Sequence, residues 1–504
     1  MLTRKWVASF AALVGLSLLI SGCSAGAGSS GGEDAARDDM TIALAAEPAN
    51  LDFTTTDGVA IPQALMDNVY EGLVKVDQKG AIQPGLAKSW QLSDDRKTYT
   101  FALQEGVKFT DGADFTADDV KFSIERVQSD DWKISLKSKM DIVDSVEVSS
   151  PTEVKVTLKK PSNNWLFDMT TRIGAIFSKT GVDDLANTAI GTGPFKIAKW
   201  NRGQSIEFER RDDYWGEKPK LAKVTLQYFS DAVAATNAMQ SGDVDVIGTL
   251  QAPELADQFK SDDKFQLIEG TTNGEVVLSM NNKRAPFDDK KVRQAVMYGV
   301  DRKAVVDTAW AGYGTMIGSM VPPTDPYYED LTGAYPFDQE KAKQLIKEAG
   351  AEGTAVNFTV PNLPYATAIS EVVVSQLKEI GLNAKIETQE FPAVWLDKTL
   401  TSHEYDMSVI NHAEPRDILA VFNNPDYYVG YDNSKIKDVA AKADQGTEEE
   451  YVAGMKQVAK TITEDAASDF LFLFPNLVVA DAKVTGIPQN AVGESLNLTT
   501  FSWS

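Results

Sequence analysis

The sequence predicts an α/β protein built from two or three lobes. Three observations carry that expectation. The chain has 504 residues, whereas one hydrophobic core stops growing near roughly 250–300 residues. Apolar residues make up 43% and charged residues 24% of the chain, the balance of a water-exposed globular body. Between residues 356 and 411, strand and helix patterns alternate as β-α-β-α-β, and that order builds a parallel sheet with right-handed crossovers.

The first residues read as an address. Arg4 and Lys5 precede a largely apolar run from Trp6 to Ile20. The run is shorter than the roughly 20 residues of a membrane span, so it reads as a signal-peptide core. Ile20-Ser21-Gly22-Cys23 resembles the lipobox of bacterial lipoproteins, which implies cleavage after residue 22 and lipidation of Cys23. Ser24 to Asp39 is Gly, Ser, Ala and charge with nothing to pack. It reads as a flexible tether reaching roughly 20–25 Å.

The body then alternates short strands and amphipathic helices. Strand patterns fall at Thr41–Ala45, Lys97–Leu103, Glu153–Leu158, Ser205–Arg210 and Val224–Phe229. In the second half, Asp338 is placed to cap a helix that Gly350 ends, and Val356–Val360 follows as a strand. Ala366–Ile380 places Ile369, Val372, Val373, Leu377 and Ile380 on one helical face, and Gly381 stops it. Leu382–Glu390 is a strand, Ala393–Leu400 a third helix, and Tyr405–Asn411 a third strand. No internal repeat is evident.

In open α/β sheets, ligands bind beyond the carboxyl ends of the strands. The residues just past the third strand are His412, Ala413, Glu414, Pro415, Arg416 and Asp417. Four ionisable groups at such a crest make it a candidate site.

Several classes are excluded or disfavoured. The formal net charge is −24, which argues against nucleic acid, whose phosphates need a basic face. A lone cysteine cannot form an intrachain disulfide. The chain has 2 histidines, His403 and His412, which restricts histidine catalysis and metal binding. His412 with Glu414 makes a poor metal site, so no metal and no cofactor are expected. No GxSxG or HExxH motif occurs, and Gly191-Thr192-Gly193 lacks the lysine of a phosphate loop. The chain is read as a binding protein and not an enzyme.

A series of motifs then carries a family resemblance, in register along residues 40–504. Tyr70-Glu71-Gly72-Leu73 resembles YEGL, Pro84 to Trp90 resembles PGLAxSW, and Tyr99 to Phe109 resembles YTFxLRxGVKF. Asp111-Gly112 with Phe115 to Val120 resembles DGxPFTAEDV. Gly191 to Phe195 resembles GTGPY, Asp213-Tyr214-Trp215 resembles NYW, and Gly242 to Asp245 resembles GEID. Val292 to Ala295 with Asp301-Arg302 resembles VRQALNYAIDR. These are the signatures of the family 5 solute-binding proteins, the dipeptide and oligopeptide binders of ABC importers.

The resemblance implies a periplasmic-binding-protein-like fold: two main lobes joined by a hinge, plus a third, inserted domain. Domain I would comprise residues 40–67, 191–281 and 475–504, domain II residues 68–190, and domain III residues 282–474. Residues 1–22 would be the signal peptide and 23–39 the tether. Ligand would be enclosed between domains I and III. Trp90, Trp200 and Trp215 read as core or lobe-packing residues.

In the family, an aspartate in a segment resembling GWxADYxDP receives the ligand ammonium. Here that segment reads Asn411-His412-Ala413-Glu414-Pro415-Arg416-Asp417 and departs from the pattern. Glu414 or Asp417 is the candidate acceptor. Arg416 is the candidate for a ligand carboxylate, or it pairs with Glu414 or Asp417 as a structural bridge. Asn281, after the apolar run Val276–Met280, matches a family asparagine and is a candidate to face the cleft.

The expected function is capture of peptides and their delivery to an ABC permease and its ATPase by a lipid-anchored, monomeric protein on the extracytoplasmic face. A non-peptide zwitterionic or acidic solute, such as an amino sugar acid, is the alternative. A secreted hydrolase or a structural lipoprotein is a more distant reading.

Overall fold

Two long strands, Phe265–Met280 and Ser468–Asp481, run antiparallel along most of their lengths. Their register breaks between Thr271 and Glu275 and again between Val276 and Val277. Every other strand of the main sheet attaches to one side of that break or the other. The structure is a computed structural model that describes residues 37–504. The signal-peptide run, Cys23 and nearly all of the tether lie outside the described residues. Asp38–Ser504 forms one compact unit.

On one side of the break, Phe265–Thr271 pairs with Pro475–Asp481. The sheet continues through Val246–Ile247, Asp39–Leu44, Lys223–Tyr228, Ser205–Arg210 and Phe195–Asn201; this is the first wing. On the other side, Glu275–Met280 pairs with Met407–His412, followed by Ala355–Pro361 and Asn383–Gln389; this is the second wing. With the short strand Thr315–Met316, the described residues form one 11-stranded sheet.

Ala355–Pro361 is parallel to both Asn383–Gln389 and Met407–His412, as the β-α-β-α-β pattern predicts. Asp338 accepts a hydrogen bond from the Lys341 amide at 2.9 Å and starts helix Gln339–Glu348. Pro364 opens helix Pro364–Glu379, where its missing N–H leaves nothing unsatisfied. The expected third helix differs: a single α turn, Ala393–Trp395, runs into a π-helical turn, Leu396–Thr401. The buried Trp395 ring fixes the entry to this turn, and its indole N–H donates to Ser408 Oγ at 3.1 Å. Asn383–Gln389 is the outer strand of its wing, so Ile386 stays 38% exposed despite the alternating pattern. The first strand begins at Asp39, so the body starts inside the stretch read as tether.

The hinge strand is buried on both faces. Val276, Leu278 and Met280 join one apolar core with Val356, Phe358 and Val360, while Val277 joins another with Tyr405, Ile410 and Tyr428. Alternate side chains of one strand therefore seed two cores. A separate four-stranded sheet, ordered Ala87–Leu92, Thr98–Leu103, Glu153–Leu158 and Val143–Ser150, shares an apolar core with the first wing. Among the described residues, no helix is long and apolar enough to cross a membrane.

Three of the motifs meet in one hydrogen-bonded node. Glu71 accepts from Tyr214 Oη at 2.8 Å, Trp215 Nε1 at 2.9 Å and Thr192 Oγ1 at 2.8 Å. Gly191 and Gly193 flank Thr192 because a Cβ there would meet Val69 O at 1.9 Å and Asn68 O at 2.5 Å. The Gly-Thr-Gly run thus serves backbone packing. Trp200 donates to Glu47 and carries Arg202 stacked on its ring.

Burial pushes the Glu71 carboxyl up to about 7, against the pull of its three donors. The folded chain therefore holds a proton that the unfolded chain releases between about pH 4.5 and 7. The stabilising contribution is full below that window and fades as pH rises through it. Thermal unfolding from pH 5 to pH 8 should show a fall in stability that is about 1–2 kcal/mol smaller in Glu71→Gln. Identical pH slopes in the two proteins would contradict this assignment.

Candidate functional site

Strand Met407–His412 delivers the crest segment to the point where the hinge strands change register. His412 lies opposite Glu275, and Asn411 opposite Val276. Asp417 then leads into the short helix Ile418–Phe422, where its carbonyl accepts from the Val421 amide at 3.0 Å. The chain turns sharply here because Arg416 takes a left-handed φ of +57°. A side chain accepts that conformation only where its surroundings fix it.

Five of the six candidate residues come together. The Asn411 amide N–H donates to Tyr365 Oη at 2.9 Å. His412 is held from both ends: Nε2 lies 2.9 Å from Tyr428 Oη, and Nδ1 lies 3.4 Å from Asp417 Oδ2. Arg416 donates from Nε to Asp325 Oδ1 at 3.2 Å, and its guanidinium sits 3.6 Å above the Phe167 ring. Its structural partner is therefore Asp325, not Glu414 or Asp417 as expected for a bridge. Both partners are nearly buried, at 9% and 7% side-chain exposure, so the pair is held away from water's screening.

Asn281 lies elsewhere. Its amide donates to the carbonyls of His403 and Tyr405 at 3.3 and 3.2 Å, at the far end of the strand from Glu275. It closes a turn behind the sheet, and the expectation that it faces the cleft is corrected. The hinge strand is antiparallel to Met407–His412, so its carboxyl end points away from the crest.

The opposing wall comes from the other side of the break. Glu414 is half-buried near Lys139 and Arg172; burial pushes its carboxyl above its usual range, and those two cations pull it back. Lys139 is paired with Asp168 at 2.9 Å, and Arg172 donates from Nε to Glu494 at 2.6 Å. Farther out, Asp444 Oδ1 accepts from Ser162 Oγ at 2.8 Å, Asn163 N at 3.0 Å and Asn164 Nδ2 at 2.9 Å. Tyr451 Oη donates to Asn164 at 2.7 Å. The inserted four-stranded unit and the second wing are thus in direct contact.

Cavities of 570, 460 and 360 Å³ lie elsewhere: beside the C-terminal stretch near Asn490, around Lys290 and Asp465, and beside Glu71. None of these three is lined by the crest. At the crest the two walls already touch, and the site is defined by its side chains.

Sequence reasoning did not select Glu275, Asp325, Phe167, Lys139 or Arg172. Glu275 carried one signal, an acidic residue directly before the apolar run Val276–Met280. The others sit in loops and short turns, whose neighbours depend on tertiary packing.

A fold with two wings on a shared strand pair and a polar crest at their junction is that of a two-lobed solute-binding protein. Residues 81–436 match the family model described as bacterial extracellular solute-binding proteins, family 5. The chain is 31% identical over 379 residues to heme-binding protein A of Haemophilus influenzae, covering 68% of each. It is 31% identical over 372 residues to the dipeptide-binding protein of Escherichia coli K12, covering 67% of this chain and 68% of the relative. Among solved structures, the periplasmic binding protein AgaA of Agrobacterium tumefaciens R10, in complex with agropinic acid, superposes with a TM-score of 0.78 at 26% identity. That match covers 92% of this chain and 99% of AgaA. The chain belongs to the family 5 extracellular solute-binding proteins.

Breaking the Arg416 pair gives a direct test of its role. Asp325→Ala leaves a buried guanidinium without its carboxylate and should cost about 3–5 kcal/mol in urea unfolding. Adding Arg416→Met, which keeps an apolar contact with Phe167, should recover a large part of that loss. A double variant no more stable than Asp325→Ala would show that the pair is not the source of the effect.

Proposed function

We propose that this chain is the solute-capturing subunit of a bacterial ABC importer, and that it takes up a peptide. The observation that carries the reading is the position of Asn411 to Asp417. This charged segment lies at the carboxyl ends of parallel strands, beside the break in the hinge pair, facing Phe167, Lys139 and Arg172. Family membership and the peptide-binding names of relatives support it. In this reading residues 40–67, 191–281 and 475–504 form domain I, 68–190 domain II and 282–474 domain III.

Solute enters while the wings are apart, and the contacts it makes with both walls favour closure. Glu414 is the acceptor for the ligand ammonium, a half-buried carboxyl of the crest with no ion pair of its own among the described residues. His412 and Asp417 orient the segment. Arg416, engaged by Asp325, shapes the wall through Phe167. The closed form docks on a permease, and ATP hydrolysis occurs on other subunits. Cys23 carries the lipid that holds the protein at the extracytoplasmic face of the membrane.

A small non-peptide zwitterion is the second reading. It is favoured by the close approach of the walls at the crest and by the agropinic acid bound in AgaA.

Native mass spectrometry of the purified chain separates the two readings. A ladder of peptide masses supports the first, one defined small mass supports the second, and a ligand-free protein that binds neither class argues against both. Calorimetry with the co-purified solute should show about ten- to hundredfold weaker binding for Glu414→Gln, the loss of one charge-assisted hydrogen bond. Unchanged affinity removes Glu414 from the site. Cys23→Ser should move the protein from the membrane fraction to the soluble fraction.

A further inference from the structure

The inserted four-stranded unit and the second wing cap each other's helix ends. The last carbonyls of a helix have no donor from a following turn. In helix Lys437–Gln445 that shortage is met by Asn163 of the inserted unit. Its Nδ2 lies 3.2 Å from Ala443 O, 2.9 Å from Asp444 O and 2.8 Å from Gly446 O. In return, the Asp444 carboxylate serves the start of helix Trp165–Asp168. The Asn163 amide N–H is shared between Asp444 O at 2.9 Å and Asp444 Oδ1 at 3.0 Å, and the Asn164 amide donates to the same Oδ1 at 3.1 Å. Arg96 steadies the loop by donating to Asn163 Oδ1 at 2.8 Å.

The capped helix is also the wall that faces the crest. Trp165–Asp168 carries Phe167, on which Arg416 stacks, and Asp168, which holds Lys139 near Glu414. Fixing the start of this four-residue helix therefore fixes the wall. The groups that fix it are suited to reversible contact. Asn163, Asn164 and Asp444 are polar and half-buried. When the two parts separate, their donors and acceptors return to water, so each hydrogen bond carries only a modest net free energy. The bonds from backbone amides to the Asp444 carboxylate are charge-assisted and are the strongest of the set.

We propose that Ser162–Asn164 and Ala443–Gly446 form a lock that holds the closed protein shut without touching the solute. It rests on the reading of the crest as the solute site. Contacts at the crest select the molecule that is enclosed, and the lock sets how long any enclosed molecule stays. Its free energy is gained on closure alone, so it multiplies the affinity for every solute by one factor. Asn163 and Asp444 are positioning residues that act through helix Trp165–Asp168.

The test is calorimetry and stopped-flow kinetics on the full chain after bound solute has been removed. The probes are dialanine, trialanine and tetraalanine. Asp444→Asn and Asn163→Ala should each weaken all three peptides by one shared factor of about ten. The loss should appear as faster release, with association unchanged. Hydrogen exchange at the Asn163 and Asn164 amides of the natural chain should slow when trialanine is added. If the variants bind and release the peptides as the natural protein does, the lock is overturned while peptide capture stands. If the loss differs between peptides, these residues read the solute and the lock is overturned. If no peptide binds, peptide capture falls and exchange decides the lock. Amides that exchange within minutes then mark a contact that opens and closes, as the lock requires, and amides protected for hours mark a permanent seam and overturn it. Exchange in the natural chain decides the matter even where a variant fails to fold.

Discussion

The structure depends on the continuity of two antiparallel strands across both wings. Phe265–Met280 and Ser468–Asp481 are the pair on which each half of the main sheet is laid. Ladder hydrogen bonds hold the pair together on either side, while the register shifts between Thr271 and Val277 interrupt the ladder at its centre. Interrupted pairing is where a sheet bends most easily. The same strands therefore join the wings at the point where the sheet is most easily bent.

This constraint fixes where the chemistry sits. Parallel strands of the second wing end at the break, so their carboxyl ends present Asn411 to Asp417 to the opposing wall. The low-dielectric setting of that junction makes each unpaired group expensive and each matched one strong. Arg416 is consumed by Asp325 and Phe167, and Lys139 and Arg172 have carboxylate partners of their own.

Much of this was legible in the sequence, for identifiable reasons. Helix Pro364–Glu379 and strand Ala355–Pro361 follow from local periodicity and end signals, which survive any tertiary context. The crest segment was placed by a topological rule and by family resemblance together. Asn281 was misplaced because a motif match names a residue without its direction along the strand. Antiparallel pairing sends it to the far end of the wing. Asp325 and Phe167 carried no signal at all: a loop aspartate and a phenylalanine in a four-residue helix acquire meaning only when folding brings Arg416 between them. The π-helical turn Leu396–Thr401 was missed because periodicity cannot tell it from an α-helix over so few residues.

The central claim is that the wings move about the broken strand pair and close on a solute. Small-angle X-ray scattering of the solute-stripped chain, before and after addition of the co-purified solute, measures that motion directly. The account predicts a larger radius of gyration for the stripped protein and a contraction on saturation. Replacing Asp444 by alanine, which removes the contact with Ser162 to Asn164, should shift the stripped protein further towards the extended form. One unchanged radius in all three states would contradict the account.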